Sequence, residues 1–223
     1  MLLGFINFLS FQAYDDTRAG AGTQAVFAAQ MVQTALLMPA GSPQQLTGEL
    51  ICCGRSVVGT EWDAVGSGSV QDSVHPWGAA LFRTVAALEP AGDTEQSAYD
   101  RWMSRTSQRQ EARNDRVHTA QGIISTPLWL ALYHIGAVVF GYLPFFADSA
   151  ERATTQAVLM GSVTVVITVL MLLLGLFDNP HGEGVGRLQP TAMERSLRII
   201  DNEVATLAMT VTPPCDQRGS AVG

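Results

Sequence analysis

Two long stretches of the chain are apolar enough to cross a membrane. Residues 153–177, ATTQAVLMGSVTVVITVLMLLLGLF, carry no formal charge. A helix of that length rises about 37 Å, more than the roughly 30 Å of a bilayer's hydrocarbon core. Residues 123–146 form the second stretch, with Pro127 in the first turn, where a missing N–H costs little. Only residues 147–152 separate the two, so the pattern predicts a tight antiparallel transmembrane hairpin.

One face of the later segment is small and polar. Small residues let a neighbouring backbone approach closely, and threonine hydroxyls can hydrogen-bond across helices. Two interpretations stay open: a helix-packing face, or a polar path that ends at Asp178. His134, the only imidazole within the hairpin, shares a similar face of the earlier segment, and the same two interpretations apply to it. The candidate residues for this face or path are His134, Gly161, Thr164, Thr168, Gly175 and Asp178.

The N-terminal residues 1–14 are apolar but too short to span a bilayer, because a 14-residue helix rises only about 21 Å. They lack the basic start and small-residue cleavage site of a secretory signal. They are either an interfacial helix or the remnant of a membrane helix that starts upstream of Met1. The acidic pair Asp15-Asp16 is typical of a membrane exit and favours the remnant.

Residues 15–122 are predicted to form antiparallel helices in water. A mild helix spans residues 23–38, and Ser42 and Gln45 form a capping box for a second that runs to about Val65. Glycines and serines then break the pattern. A third helix is expected to start at Asp72 or Ser73, and a fourth, increasingly polar one at Asp93.

A final amphipathic helix is predicted within residues 179–212. Thr191 and Glu194 form a capping box, and an apolar stripe follows it. The helix either lies on the membrane surface or docks on the helical domain. Its mixed charges favour docking, since surface helices are usually basic. Residues 213–223 are expected to be disordered.

The distribution of charge predicts the orientation in the membrane. All 13 basic residues are arginine, and the net charge of −7 argues against nucleic acid as a partner. Four arginines (105, 109, 113 and 116) lie within a few turns before the hairpin, and Arg187, Arg195 and Arg198 follow it, whereas the turn within it has only Arg152. By the positive-inside rule, the helical domain 15–122 and the C-terminus both lie in the cytoplasm, and the protein is expected to cross its membrane more than once.

The sequence indicates no catalytic site. Its four histidines and three cysteines lack metal-ligand spacing, and no phosphate-binding glycine loop is present, so neither an enzyme nor a cofactor is predicted. Adjacent Cys52 and Cys53 cannot pair with each other on a helix, and the cysteines are predicted to be reduced core thiols. Glu61 and Arg55 are expected to form a structural ion pair.

Several short motifs together are similar to the bacterial bestrophin-like membrane family, otherwise described as a domain of unknown function. The matching motifs are Tyr14-Asp15-Asp16, Cys53-Gly54-Arg55-Ser56-Val57-Val58 with Glu61-Trp62, and Phe177-Asp178-Asn179-Pro180 with Gly182. The resemblance covers residues 1–210 and implies four spans around a cytoplasmic helical region. This chain departs at its start, where one span and most of another are missing. It departs again at His181, where the family usually has phenylalanine.

The expected protein is therefore all-α: an integral membrane hairpin, a cytoplasmic helical bundle and a truncated N-terminal membrane helix. Bestrophins proper are oligomeric anion channels, so the resemblance implies a homo-oligomer that conducts ions in a lipid bilayer, the bacterial inner membrane. The other hypothesis is a membrane-anchored helical scaffold or sensor without transport.

Overall fold

The computed structural model of the chain describes residues 2–67, 75–119, 124–146, 152–181, 184 and 186–222. Within these ranges the regular structure is helical, apart from an isolated bridge between Cys215 and Ala221. A 3₁₀ turn, Leu143–Phe146, follows the sixth helix. The helices are α1 (Leu2–Ala35), α2 (Ser42–Val58), α3 (Thr60–Gly66), α4 (Pro76–Ala86), α5 (Asp93–Thr119), α6 (Thr126–Tyr142), α7 (Ala153–Asp178) and α8 (Thr191–Thr206).

The chain divides into two compact units. The first comprises Met1–Asp15 and Gly122–Pro180, and the second comprises Asp16–Gln121 and His181–Gly223. The all-helical architecture expected from the sequence is confirmed. The assignment of these units to membrane and cytoplasm stays a prediction.

The first unit has a small core and a large apolar exterior. Ile6, Leu132 and Leu174 are buried together, whereas most of α6 and α7 is exposed within this single chain. Among the residues that the structure describes, two helical segments, Thr126–Phe145 and Ala153–Asp178, are long and apolar enough to cross a membrane. Such a surface requires lipid or protein cover, because soluble monomers rarely expose contiguous apolar patches of this extent.

The second unit is a helical bundle centred on α2, which packs against α3, α4 and α8. The apolar positions that recur at helical spacing on α2, α4 and α5 enter one core, as their period predicts. That core is built mainly from Met31, Val32, Leu46, Leu50, Ile51, Trp77, Leu81, Val85, Trp102 and Ile200.

The first helix is longer than predicted. α1 continues through Asp15 and Asp16 without the break expected at Tyr14, and it absorbs the separate helix predicted from residue 23. This stretch contains no proline, and Gly20 suits a close contact, since a Cβ there would lie 3.2 Å from the carbonyl oxygen of Ala112. Small residues therefore let α1 run on beside α5.

The second predicted helix is divided in two. Gly59 leaves helical geometry, with φ −99° and ψ −99°, and separates α2 from α3. Ser42 lies inside α2 rather than capping it, and its hydroxyl donates to the carbonyl of Pro39 at 2.7 Å. The predicted start at Asp72 or Ser73 lies outside the described residues, and α4 is described from Pro76.

The final helix docks on the bundle. Ser196 donates to the carbonyl of Ala25 at 2.6 Å, and Leu197 packs so tightly on Gly54 that a Cβ there would lie 2.8 Å from Leu197 Cδ2. The docking alternative therefore describes this helix correctly. It ends at Thr206, and Ala208 has a positive φ of 48°.

Two expectations for the C-terminal segment are wrong. Residues 213–222 are not disordered but fold against α2, and Cys215 forms a disulfide with Cys52. The Cα atoms of this pair are 5.7 Å apart although 163 residues separate them in sequence. Local spacing excluded only a bond between Cys52 and Cys53, so the distant partner was missed. Cys53 is a buried free thiol, as predicted.

Candidate functional site

The small polar face of α7 lies on the exterior of the first unit. Gly161, Thr164 and Thr168 are exposed, and the hydroxyl of Thr164 donates to the carbonyl of Met160 at 2.9 Å. His134 on α6 is exposed as well. Helix packing within one chain therefore leaves these four residues uncovered.

The end of α7 is engaged with the beginning of α6. The two carboxylate oxygens of Asp178 accept hydrogen bonds from the backbone N–H of Ile124 at 2.8 Å and the indole N–H of Trp129 at 2.9 Å. A Cβ on Gly175 would lie 3.9 Å from the Trp129 ring. Asp178 therefore joins the two helices, and Gly175 lies beside the Trp129 ring. Both are half-buried, whereas Thr164 and Thr168 are exposed.

A second candidate site is a buried ionic cluster in the second unit. The carboxylate of Glu61 on α3 contacts Arg116, Arg113 at 3.1 Å and His75 at 3.4 Å. Arg116 is fully buried, donates to Gln24 on α1 at 3.2 Å and stacks over the ring of Trp62. The cluster therefore joins four helices around one carboxylate.

The prediction that Glu61 forms an ion pair with Arg55 is wrong about the basic residue. Arg55 instead donates to the backbone carbonyl of Asp216 at 3.4 Å. Glu61 does pair with arginine, but its partners come from α5, about 50 residues away. Arg109, Arg113 and Arg116 follow one another at helical spacing, which is the sequence pattern that could have revealed the cluster.

His75 is held neutral in the cluster. Burial lowers its pKa to about 4, although the nearby Glu61 carboxylate opposes that shift. Its Nδ1 accepts a hydrogen bond from the backbone N–H of Gly78, so the ring proton lies on Nε2, which faces Glu61 and Ser56. The cluster thus has one charged carboxylate and a neutral imidazole at pH 7.

The carboxylate itself stays ionised. Burial opposes the charge of Glu61, but Arg116 and Arg113 outweigh it and lower the pKa of that carboxyl group. Arg109 points its guanidinium to the Cys53 sulfur at 3.1 Å, and burial raises the pKa of this thiol. Two buried arginines, Arg109 and Arg116, and the half-buried Arg113 thus surround one carboxylate and one neutral thiol.

His181, a position at which the sequence departs from the family that it resembles, serves as an aromatic residue. Its ring meets Trp62 edge-on with centroids 4.9 Å apart, and neither ring nitrogen has a hydrogen-bond partner among the described residues. Burial, with a smaller contribution from Arg116, lowers its pKa to about 4. A neutral histidine therefore occupies a position that suits phenylalanine.

A pocket of about 450 Å³ opens beside the ionic cluster. Its wall contains the first turn of α4, part of α5 and the C-terminal segment. Among the described residues, no group of three His, Cys, Asp or Glu side chains is arranged to hold a metal ion. The pocket is lined by Ser56, Thr60, Glu61, Ala64, His75, Pro76, Trp77, Ala80, Arg83, Arg113, Gly219, Ser220 and Ala221.

The two apolar helices and the helical bundle together define an all-helical membrane protein. The chain belongs to the bestrophin-like family, because the family model for the Bestrophin-like domain matches residues 1–193. No curated protein sequence matches the chain.

Solved structures agree with this family. A mutant bacterial bestrophin homologue from Klebsiella pneumoniae matches with a TM-score of 0.74 at 15% identity, over 91% of this chain and 82% of that one. Another crystal structure of the homologue from this organism matches with a TM-score of 0.72 at 15% identity, over 93% and 83% of the two chains. Identities this low show a common fold.

Proposed function

We propose that the protein is an ion channel of the bacterial inner membrane, formed by several copies of this chain. The observation that carries the proposal is the exposure of Gly161, Thr164 and Thr168 on a helix otherwise suited to lipid. A scaffold anchored by its own hairpin would bury such a face between helices of one subunit. Homologues in the family are ion channels, which supports the same conclusion by analogy.

The threonine face has the chemistry of a conducting path. Hydroxyl and backbone carbonyl groups can replace part of an ion's hydration shell, whereas aliphatic side chains cannot. Thr164 and Thr168 lie one turn apart, so copies around a common axis would present two rings of hydroxyls. The same small face would let neighbouring helices approach closely.

A second exposed surface of the first unit is an alternative candidate for the pore lining. On α1, Phe5, Phe8, Leu9 and Phe11 are exposed, between 43% and 60% of their surfaces. Rings of large apolar side chains can close a pore by excluding water. The flux experiment therefore includes a variant on each surface.

Flux through liposomes of reconstituted protein tests the proposal. Replacing Thr168 by leucine should lower ion flux about tenfold, equivalent to roughly 1.4 kcal/mol of added barrier, because an isobutyl group cannot solvate an ion. Val166→Leu, on another exposed face of α7, is the matched control and should leave flux unchanged. Phe8→Ala should raise flux if α1 forms the constriction.

Two outcomes would contradict parts of this proposal. Flux from the parent protein no greater than from empty vesicles would exclude a channel. Equal flux from Thr168→Leu and Val166→Leu would exclude the α7 face as the path and leave α1 as the lining.

The buried ionic cluster and its pocket favour a second candidate function, a membrane-anchored helical sensor without transport. In this case the cytoplasmic bundle would bind a ligand beside Glu61. Oligomeric protein that conducts nothing, yet is stabilised by a small molecule bound in this pocket, would support it. In both cases we assign no catalytic step to the protein.

For either function we propose the orientation expected from the arginines, with α2–α5 and α8 on the cytoplasmic side. The membrane-spanning part is then the hairpin 123–178 together with the apolar start of α1. Lipid and other copies of the chain are its partners.

A further inference from the structure

The C-terminal residues 213–222, here called the strap, lie in a groove made by small residues of α2. Pro213 packs on Gly48, where a Cβ would lie 3.6 Å from its Cα. Farther along α2, the strap meets Cys52 through the disulfide and Ser56 through Gly219. Gly48, Cys52 and Ser56 are spaced by four residues and so share one face of the helix.

Gly219 makes the closest of these contacts. A Cβ on it would collide with the backbone nitrogen of Ser56, and its φ of +78° favours glycine. The carbonyl of Gly219 accepts the indole N–H of Trp77 at 2.6 Å. The strap therefore approaches α2 and α4 at a point where only glycine fits.

The disulfide is the strongest attachment of the strap. Of its residues only Cys215 and Gly219 are buried. The ion pair between Arg218 and Asp63 has both side chains 65% exposed and adds little stability. Reduction of the disulfide would therefore leave the strap held by a few hydrogen bonds.

The remaining thiol is not a competing partner. Cys53 is adjacent to Cys52 but buried, and its sulfur contacts Arg109. Its pKa is raised by burial, which keeps it in the weakly nucleophilic thiol form. Thiol–disulfide chemistry in this domain is therefore confined to Cys52 and Cys215.

We propose that Cys52 and Cys215 form a thiol–disulfide switch that fastens the strap in the α2 groove and closes one wall of the pocket beside Glu61. Gly219, Ser220 and Ala221 of the strap line this pocket. Disulfides are rare in the bacterial cytoplasm, where cellular dithiols reduce them. A disulfide in the proposed cytoplasmic bundle thus responds to that redox poise.

The chemistry of the switch is a two-electron exchange. A dithiol reductant donates two electrons and two protons; the Cys52–Cys215 S–S bond breaks to give two thiols, and the reductant becomes a disulfide. The reduced strap leaves the groove and exposes the pocket edge at Ser56 and His75. The inference does not depend on ion conduction.

Hydrogen exchange of the protein in detergent, with and without dithiothreitol, tests the switch. Reduction should raise amide exchange in residues 213–222 at least about tenfold, while the core of α2 keeps its protection. Cys53→Ser should respond like the parent protein. Gly219→Ala should exchange rapidly in the strap even when oxidised, because the methyl group collides with Ser56.

Several results would overturn the proposal. One is a thiol titration that finds three free thiols rather than one in protein purified without reductant. Another is a rate of amide exchange in the strap that stays unchanged after complete reduction of the disulfide. If α2 lost its protection together with the strap, the disulfide would be a structural link of the whole bundle.

Alkylation of thiols in acid-quenched cells distinguishes a switch from a permanent bond. A disulfide-generating oxidant should increase the oxidised fraction of Cys52 and Cys215, and its removal should reverse the change. A pair that stays fully oxidised or fully reduced under both conditions would contradict the switch.

Discussion

Replacing Glu61 by glutamine should lower the free energy of unfolding of the helical bundle by about 3–5 kcal/mol, the usual cost of leaving a buried charge unpaired. Arg116 is fully buried and relies on Glu61 for its counter-charge. Glutamine keeps the shape of the side chain but not its charge, so Arg113 and Arg116 would repel each other without compensation. Fewer folded molecules should be recovered from the membrane.

Denaturant unfolding in detergent, followed by tryptophan fluorescence, measures this effect. The matched control is Asp63→Asn, two residues away, which removes an ion pair exposed on both sides and should change the unfolding free energy by no more than about 0.5 kcal/mol. Equal effects of the two substitutions would mean that the Glu61 cluster contributes no more than a surface ion pair.

Acid should destabilise the bundle well before its carboxylates are protonated. His75 and His181 have pKa values lowered to about 4, whereas an unfolded histidine titrates near 6.5. The unfolded chain therefore binds more protons between these values, and stability falls as the pH decreases from about 6.5 to 4. Lowering the pH from 7 to 5 should reduce the free energy of unfolding by about 2 kcal/mol for each of these two histidines. The lowered pKa of Glu61 extends the loss to lower pH.

His181→Phe isolates one of these two histidines. Phenylalanine keeps the edge-on contact with Trp62 and removes two buried ring nitrogens that have no partner among the described residues. The variant should be more stable than the parent at pH 5. Its free energy of unfolding should change between pH 7 and pH 5 by about half as much as that of the parent. A pH dependence identical to that of the parent would exclude His181 as a contributor.

The apolar pattern was sufficient to predict most of the fold. The uncharged run of α7 and its neighbour α6 were recognised by length alone, and the helical spacing of Leu46 and Leu50 placed them in the core. The two departures at Gly59 and within α1 have a common physical reason. Helix propensity is a weak preference, and packing against other helices decides where a helix ends or continues.

The contacts of the candidate sites were harder to predict, because they join residues distant in sequence. Glu61 lies near Arg55 in the sequence, yet its partners Arg113 and Arg116 come from α5. Cys215 similarly pairs across 163 residues. Local spacing shows which residues share a helix face but not which faces meet. That Thr164 and Thr168 share one face, in contrast, follows directly from the period of one helix.

The most direct test of the membrane architecture is labelling of single cysteines from each side of the inner membrane. In a background in which serine replaces Cys52, Cys53 and Cys215, Glu111→Cys on α5 and Arg152→Cys before α7 each place a single exposed thiol at the surface. With an impermeant maleimide, the Arg152 position should be labelled in intact spheroplasts and the Glu111 position only in inverted vesicles. Labelling of both positions in intact spheroplasts, or the reverse pattern, would contradict a membrane-spanning hairpin with a cytoplasmic helical bundle.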